Sequence, residues 1–157
     1  INLNQNLQEG LNPNSGIPMV KGIPFNSGDK VMQLKNNYQK EIFNGDIGRV
    51  TSVQAGEERL LVDYFGRSVS YDFSESNKLT LAYAIAVHKS QGSEYPVIIV
   101  PIMGQHFALL NRSLLYTALT RGKKLVVLIG TSRALEIALK NNQPQKRMTN
   151  LSVRLVN

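Results

Sequence analysis

LAYAIAVHKSQGSEYP, residues 81–96, is the stretch on which the reading of this chain turns. AYAIAV, 82–87, consists of good-to-neutral helix formers, and polarity then arrives all at once in His88, Lys89, Ser90 and Gln91. The pattern predicts a helix ended by Gly92, with Glu94 two residues on and VIIV, 97–100, as a short, fully buried strand. A loop between a helix end and a central strand of an α/β sheet is where such folds hold ligands. Packing does not call for so many different polar groups between His88 and Glu94. The stretch reads as a site.

Downstream, 105–110 reads as a short helix and NRSLLYTALTR, 111–121, as a longer one with Leu114, Leu115, Ala118 and Leu119 facing inward. Arg121 falls at its end, with Gly122 as the expected cap and Lys123-Lys124 beyond. LVVLI, 125–129, reads as another buried strand, and Ser132 as the cap of a last helix over 133–140. The tail from Asn141 is polar until Leu151, Val153 and Leu155.

Upstream, GDKVMQLKNNY, 28–38, alternates as a strand and turns at Asn36-Asn37. A second strand, 48–53, follows turn signals at Asn44-Gly45 and 46–48. RLLVDY, 59–64, and RSVSYDF, 67–73, read as two more strands joined by a tight turn at Phe65-Gly66. Four or five short strands in sequence describe a small SH3-like barrel. Its Lys30, Lys35, Lys40 and Arg49 are either a solvated polar face or DNA contacts. Before it, NLNQNLQEGLNP, 2–13, sets Leu3, Leu7 and Leu11 on one helical face with Asn-Pro as a stop, and NSGIPMVKGIP, 14–24, is a connection. The barrel, 25–76, therefore interrupts an α/β layer formed by 1–24 and 77–157.

At 157 residues and 42% hydrophobic content, the chain suits one domain with a small insertion and a real core. A net charge of +7 favours a polyanionic partner, nucleic acid before membrane; a basic surface kept for solubility is the plainer alternative. Zero cysteines exclude disulfides and thiolate chemistry and fit a reducing cytoplasm, and two histidines make a metal site improbable. No apolar run is long enough to span a membrane. The chain opens on Ile-Asn-Leu, without an initiator methionine or signal peptide, so a piece of a longer protein is expected.

The candidate chemistry follows from residue types. Gln91, Gly92 and Glu94 offer an amide, an unhindered backbone and a carboxylate, suited to a phosphate edge and ribose hydroxyls. Arg121 is an always-charged fork at a helix terminus, suited to charge on a transferring phosphoryl group. Alone, such an arginine usually completes a helix dipole at the surface, Glu94 is a loop carboxylate and His88 a partly buried helix residue. Together they point to a nucleotide. No G-x-x-x-x-G-K-[ST] occurs, nor an apolar strand ending in Asp-Glu to hold magnesium, so the chain contributes to a phosphoryl-transfer site without completing one.

HKSQGSE, 88–94, resembles motif V of superfamily 1 helicases, and LLYTALTRGKK, 114–124, resembles motif VI. With NLNQNLQEGLNP and FNSGDKVMQLKNNYQKEIFNGDIG, 25–48, nearly the whole chain resembles the C-terminal part of RecD-like helicases of superfamily 1B, the exodeoxyribonuclease V alpha-subunit family. The resemblance implies a second RecA-like motor domain (2A, P-loop NTPase-like but lacking the P-loop) carrying an inserted SH3-like barrel (2B). It implies ATP-driven 5′-to-3′ movement on single-stranded DNA in recombination and repair. ATP with Mg2+ would lie between 2A and an upstream motor domain 1A, the Mg2+ ligands being outside this chain. By the same resemblance Gln91 and Gly92 face the phosphates, Glu94 the ribose, Arg121 is the arginine finger, and His88, Lys89 and Ser90 lie toward DNA. Exonuclease V beta and gamma subunits are implied partners in the multisubunit branch. Ala86 stands where a threonine often contacts a DNA phosphate, and Gly122 where alanine is usual. A stand-alone nucleic-acid-binding or subunit-docking module remains the alternative.

Overall fold

The computed structural model describes residues 2–13, 24–106 and 109–142. The expected connection over most of 14–24 and the apolar positions Leu151, Val153 and Leu155 lie outside the described residues. The chain divides into two compact units, Ile1–Lys89 and Ser90–Asn157.

In the first unit, helix α1 (Leu3–Leu11) is capped by Asn2, whose side chain accepts from the Asn4 amide. The leucine spacing identified the helix, yet Leu3 and Leu11 are exposed. What holds α1 is its amide side chains. The strands β1 (Lys30–Gln33), β2 (Ile47–Gln54), β3 (Arg59–Tyr64), β4 (Arg67–Asp72) and β5 (Leu79–Leu81) form one antiparallel sheet in the order β4-β3-β2-β1-β5. Alternating inward residues Leu60, Val62 and Tyr64 on β3 and Val69 and Tyr71 on β4 make the core with Phe25, Val31, Ile42, Val50 and Leu79. The Phe65-Gly66 turn has positive φ at both residues, the geometry a two-residue hairpin requires.

β1 is shorter than the sequence suggests and does not alternate: Val31, Met32 and Gln33 are all buried. Gln33 tolerates burial because its amide donates to the Lys35 carbonyl and its oxygen accepts from the Tyr71 hydroxyl, itself bonded to the Tyr64 hydroxyl. Burial drives both tyrosine pKa values upward.

The expected helix across 82–91 does not form. Only Val87–Ser90 makes a single 3-10 turn. The reason is tertiary. Ala82 donates its N–H to the Lys30 carbonyl at 2.8 Å, extending the β1–β5 pairing. The Asn4 side chain then brackets Ala84, accepting from its N–H at 2.8 Å and donating to its carbonyl at 2.9 Å. Alanine-rich propensity of a few tenths of a kcal/mol per residue yields to these fixed partners.

In the second unit, β6 (Tyr95–Ile102) and β7 (Gly122–Gly130) pair in parallel, with α2 (Arg112–Leu119) between them in sequence and α3 (Ser132–Lys140) after them. Asn111 caps α2, and Thr131 rather than Ser132 caps α3. Ile102, Leu115, Ala134 and Ala138 form the core, joined by Val100, Leu110, Leu119 and Leu135. The short helix expected over 105–110 is one 3-10 turn, Gly104–His106; 107 and 108 lie outside the described residues. Val97, Ile99, Leu125, Leu128 and Ile129 are exposed, where full burial was expected. No helix among the described residues is long and apolar enough to cross a membrane.

Candidate functional site

Parallel pairing brings the Gln91–Glu94 loop and Arg121 together. The loop runs straight into β6, Arg121 straight into β7, and the Tyr95 N–H donates to the Arg121 carbonyl at 2.8 Å. The guanidinium is then fixed at three points. Its Nε donates to the Thr117 carbonyl at 3.3 Å, one turn back on α2. One terminal nitrogen donates to the Ser93 carbonyl at 3.1 Å, the other to the Thr120 hydroxyl at 3.2 Å. Three of the five N–H groups of an arginine are thereby engaged and the fork has a set orientation.

Gln91 and Gly92 are exposed on this loop. Gly92 has φ +83°, and a Cβ there would meet nothing within 4 Å, so its backbone is open to a ligand. Glu94 is exposed and pairs with Lys123 at 2.8 Å. The hydrogen bond and charge of Lys123, with a smaller contribution from Arg121, lower the Glu94 pKa, so the carboxylate is ionised at neutral pH. The donor set (a fixed cationic fork, an open glycine backbone, an exposed amide and an ionised carboxylate) fits a nucleotide's phosphates and ribose.

The expected DNA-side residues divide differently. His88 and Lys89 are exposed and belong to the first unit. Ser90 opens the second unit and is 5% exposed, so its side chain presents little surface to a strand. Ala86 is exposed, its carbonyl accepting from the Lys89 N–H at 2.9 Å.

Sequence reasoning missed several supports. The four-residue spacing of Thr117 and Arg121 on one helix was a readable signal for the arginine's anchor, and Lys123 was a readable partner for Glu94. Nothing local announced the hydrogen-bond hub at Asp29. Buried completely, its carboxylate accepts from Gln8, from Asn12 at 2.7 Å, from the Asn26 N–H at 2.7 Å and from the Tyr83 hydroxyl at 2.9 Å. Burial and the bond to Asp29 push the Tyr83 hydroxyl up to about 12. Asp29 and Asn4 together fix the path of the chain just before His88.

Gly122 also has a different task from the one expected. It is the first residue of β7, and the helix ends on Thr120 in right-handed geometry. A Cβ on Gly122 would lie 2.6 Å from Val126 Cγ2 and 3.1 Å from Ile98 Cγ1, so close packing, not capping, requires glycine.

The chain is similar to known proteins in sequence and in fold. Residues 3–64 match the profile of the ATP-dependent RecD-like DNA helicase SH3 domain, and residues 81–129 that of the UvrD-like helicase C-terminal domain. The chain is 38% identical over 136 residues to an ATP-dependent RecD2 DNA helicase of Deinococcus radiodurans, covering 87% of this chain and 19% of that protein. It is 30% identical over 138 residues to a RecBCD enzyme subunit RecD of Mycobacterium tuberculosis, covering 87% of this chain and 23% of that protein. The chain thus spans about a fifth of the length of these curated relatives. Among solved structures, a Pif1 helicase studied in DNA unwinding at forked duplexes superposes with TM-score 0.52 and 27% identity, over 71% of this chain and 31% of that one. A Bacteroides Pif1 helicase in complex with ADP-AlF3 and single-stranded DNA has TM-score 0.59 over 85% of this chain and 34% of that one; at 21% identity it shows the fold.

Proposed function

Since this chain belongs to the RecD-like helicases, we propose that it is the C-terminal motor portion of an ATP-dependent helicase moving 5′-to-3′ on single-stranded DNA in recombination and repair, with Arg121 as its arginine finger. In this reading 1–24 and 77–157 form motor domain 2A, 25–76 is the inserted barrel 2B, and ATP with Mg2+ is held jointly with an upstream domain 1A. The exposed apolar face of β6 and β7 supports membership of a larger domain.

The observation that carries the proposal is the seating of Arg121. Its guanidinium is held by Thr117, Thr120 and Ser93 beside an open glycine loop. A cation oriented in advance stabilises charge developing on a transferred phosphoryl group without reorganising. Gln91 and the Gly92 backbone are suited to the phosphate edge and Glu94 to the ribose hydroxyls, which it meets by sharing or releasing Lys123. His88 and Lys89 supply exposed polar and cationic contacts toward DNA, with the largely buried Ser90 next in the chain. In a RecBCD-type assembly the exonuclease V beta and gamma subunits are the partners.

The test uses the longer protein that contains this chain together with an ATP-binding domain. Arg121→Ala is expected to lower DNA-stimulated kcat for ATP hydrolysis by roughly 10³- to 10⁵-fold while single-strand binding without nucleotide survives. Arg121→Lys recovers little, because an ammonium lacks the planar fork. Near-normal hydrolysis by Arg121→Ala would remove the finger assignment. Residues 1–157 alone are expected to hydrolyse no ATP.

A further inference from the structure

Two large aromatic rings on the barrel stand exposed side by side. Tyr38 is 74% exposed and Phe43 47%. Their centroids lie 6.1 Å apart with planes at 76°, an edge-to-face pair at the surface. The loop that carries them is closed by the Asn37–Ile42 bridge, with backbone bonds of 2.7 and 3.0 Å in the two directions. The Asp46 carboxylate accepts from the Phe43 N–H at 2.7 Å, and the Asn36 side chain accepts from the Asn44 N–H at 2.9 Å and donates to the Tyr38 hydroxyl at 3.2 Å. The rings are thus fixed outward by polar bonds instead of being folded in.

The surrounding charges favour one kind of occupant. Of the barrel's basic residues, Lys40 is committed to Glu75, the Ser70 carbonyl and the Tyr71 ring, and Arg49 donates to the Gly28 carbonyl. Lys30 is half-buried, and that burial lowers its pKa. Lys35, at the root of the loop, is exposed and has no ion-pair partner among the described residues. At the other side, a Cβ on Gly45 would stand 3.9 Å from the Lys89 carbonyl oxygen, so the loop abuts the His88–Lys89 segment. Rings flanked by lysines match unpaired bases on a phosphate backbone; a duplex, whose bases are already stacked, offers no free ring faces.

We propose that Tyr38 and Phe43 form a stacking shelf for the bases of a single strand, whose phosphates Lys35 and Lys89 engage. The shelf rests on the DNA-binding reading above and extends it onto the barrel. Recognition is blind to sequence, because every base presents a π-face.

The test is fluorescence anisotropy of the full chain with a short oligodeoxythymidylate and with an abasic strand of equal length and charge. The wild-type chain should bind the thymidylate about tenfold more tightly than the abasic strand. Tyr38→Ala with Phe43→Ala should abolish that preference and leave abasic affinity within about twofold, since phosphate contacts persist. Tyr38→Phe should keep the preference and Tyr38→Leu lose it; both positions are at the surface, and matched circular dichroism melts confirm folding. Equal affinity of the wild type for both strands, or a double variant that keeps the preference or weakens both strands alike, overturns the shelf while DNA binding stands. The double variant keeping the preference is the outcome expected of a shelf that serves a protein partner. If the wild type binds neither strand, the DNA reading fails and the shelf with it.

Discussion

Removing the charge of Glu75 should destabilise the barrel at neutral pH and not in acid. Its two oxygens are within 2.6 Å of Lys40 Nζ and 2.7 Å of Lys78 Nζ, and the Asp72 N–H adds a bond at 3.3 Å. Partial burial alone would raise its pKa, but the bonds from Lys40, Lys78 and Asp72 outweigh burial and hold it at about 2, against an ordinary 4.5. A carboxyl so lowered stabilises the fold fully above its unfolded value, and that stability disappears as pH falls from the ordinary value through the folded one. The whole difference corresponds to a ceiling of roughly 3 kcal/mol. The side chain is 21% exposed, and screening there leaves about 1–2 kcal/mol. Urea unfolding followed by tyrosine fluorescence should therefore find Glu75→Gln less stable by that amount at pH 7, with the gap shrinking to near zero as pH approaches 2. High salt should narrow the neutral-pH gap. A penalty of the same size at both pH values would refute the reasoning, because the amide's shape and not the charge would then be responsible.

Gly122→Ala should cost about 1–3 kcal/mol in thermal melts, because the new methyl has no room beside Val126; adding Val126→Ala should recover most of it, and additive losses would count against a steric cause. Asn4→Ala should leave the Ala84 N–H and carbonyl without partners, at about 1–3 kcal/mol. Hydrogen exchange at the Ala84 amide should then accelerate, and unchanged protection would show that Asn4 does not hold that segment.

The barrel was legible where its signals were local. RLLVDY and RSVSYD alternate with period two about a turn that only left-handed backbone closes, and β3 and β4 fall where that pattern puts them. Arg121 was legible because a capped, one-faced helix ends there. The stretch 82–86 was misread because its shape is imposed by Lys30 and Asn4, residues far away in sequence that no window includes. Strands β6 and β7 look fully buried in sequence because the cover for their outer face is not supplied by the described residues. Glu94 and Arg121 were assigned to one candidate nucleotide site by residue type, whereas Lys123, which pairs with Glu94, read only as one more cation beyond the helix.

The Asn4–Ala84 bracket has a topological consequence. It ties positions 80 apart in sequence, so the chain enters and leaves the barrel through one doorway. Everything in between is a closed excursion, anchored at its neck. The Phe65-Gly66 turn therefore lies remote from that neck, reached only through the strands of the sheet, whereas the loop at Gly45 meets the chain again at Lys89. Exchange of residues 30–81 for those of a relative, with Asn4, Asp29, Tyr83 and Ala84 retained, is the graft this architecture allows.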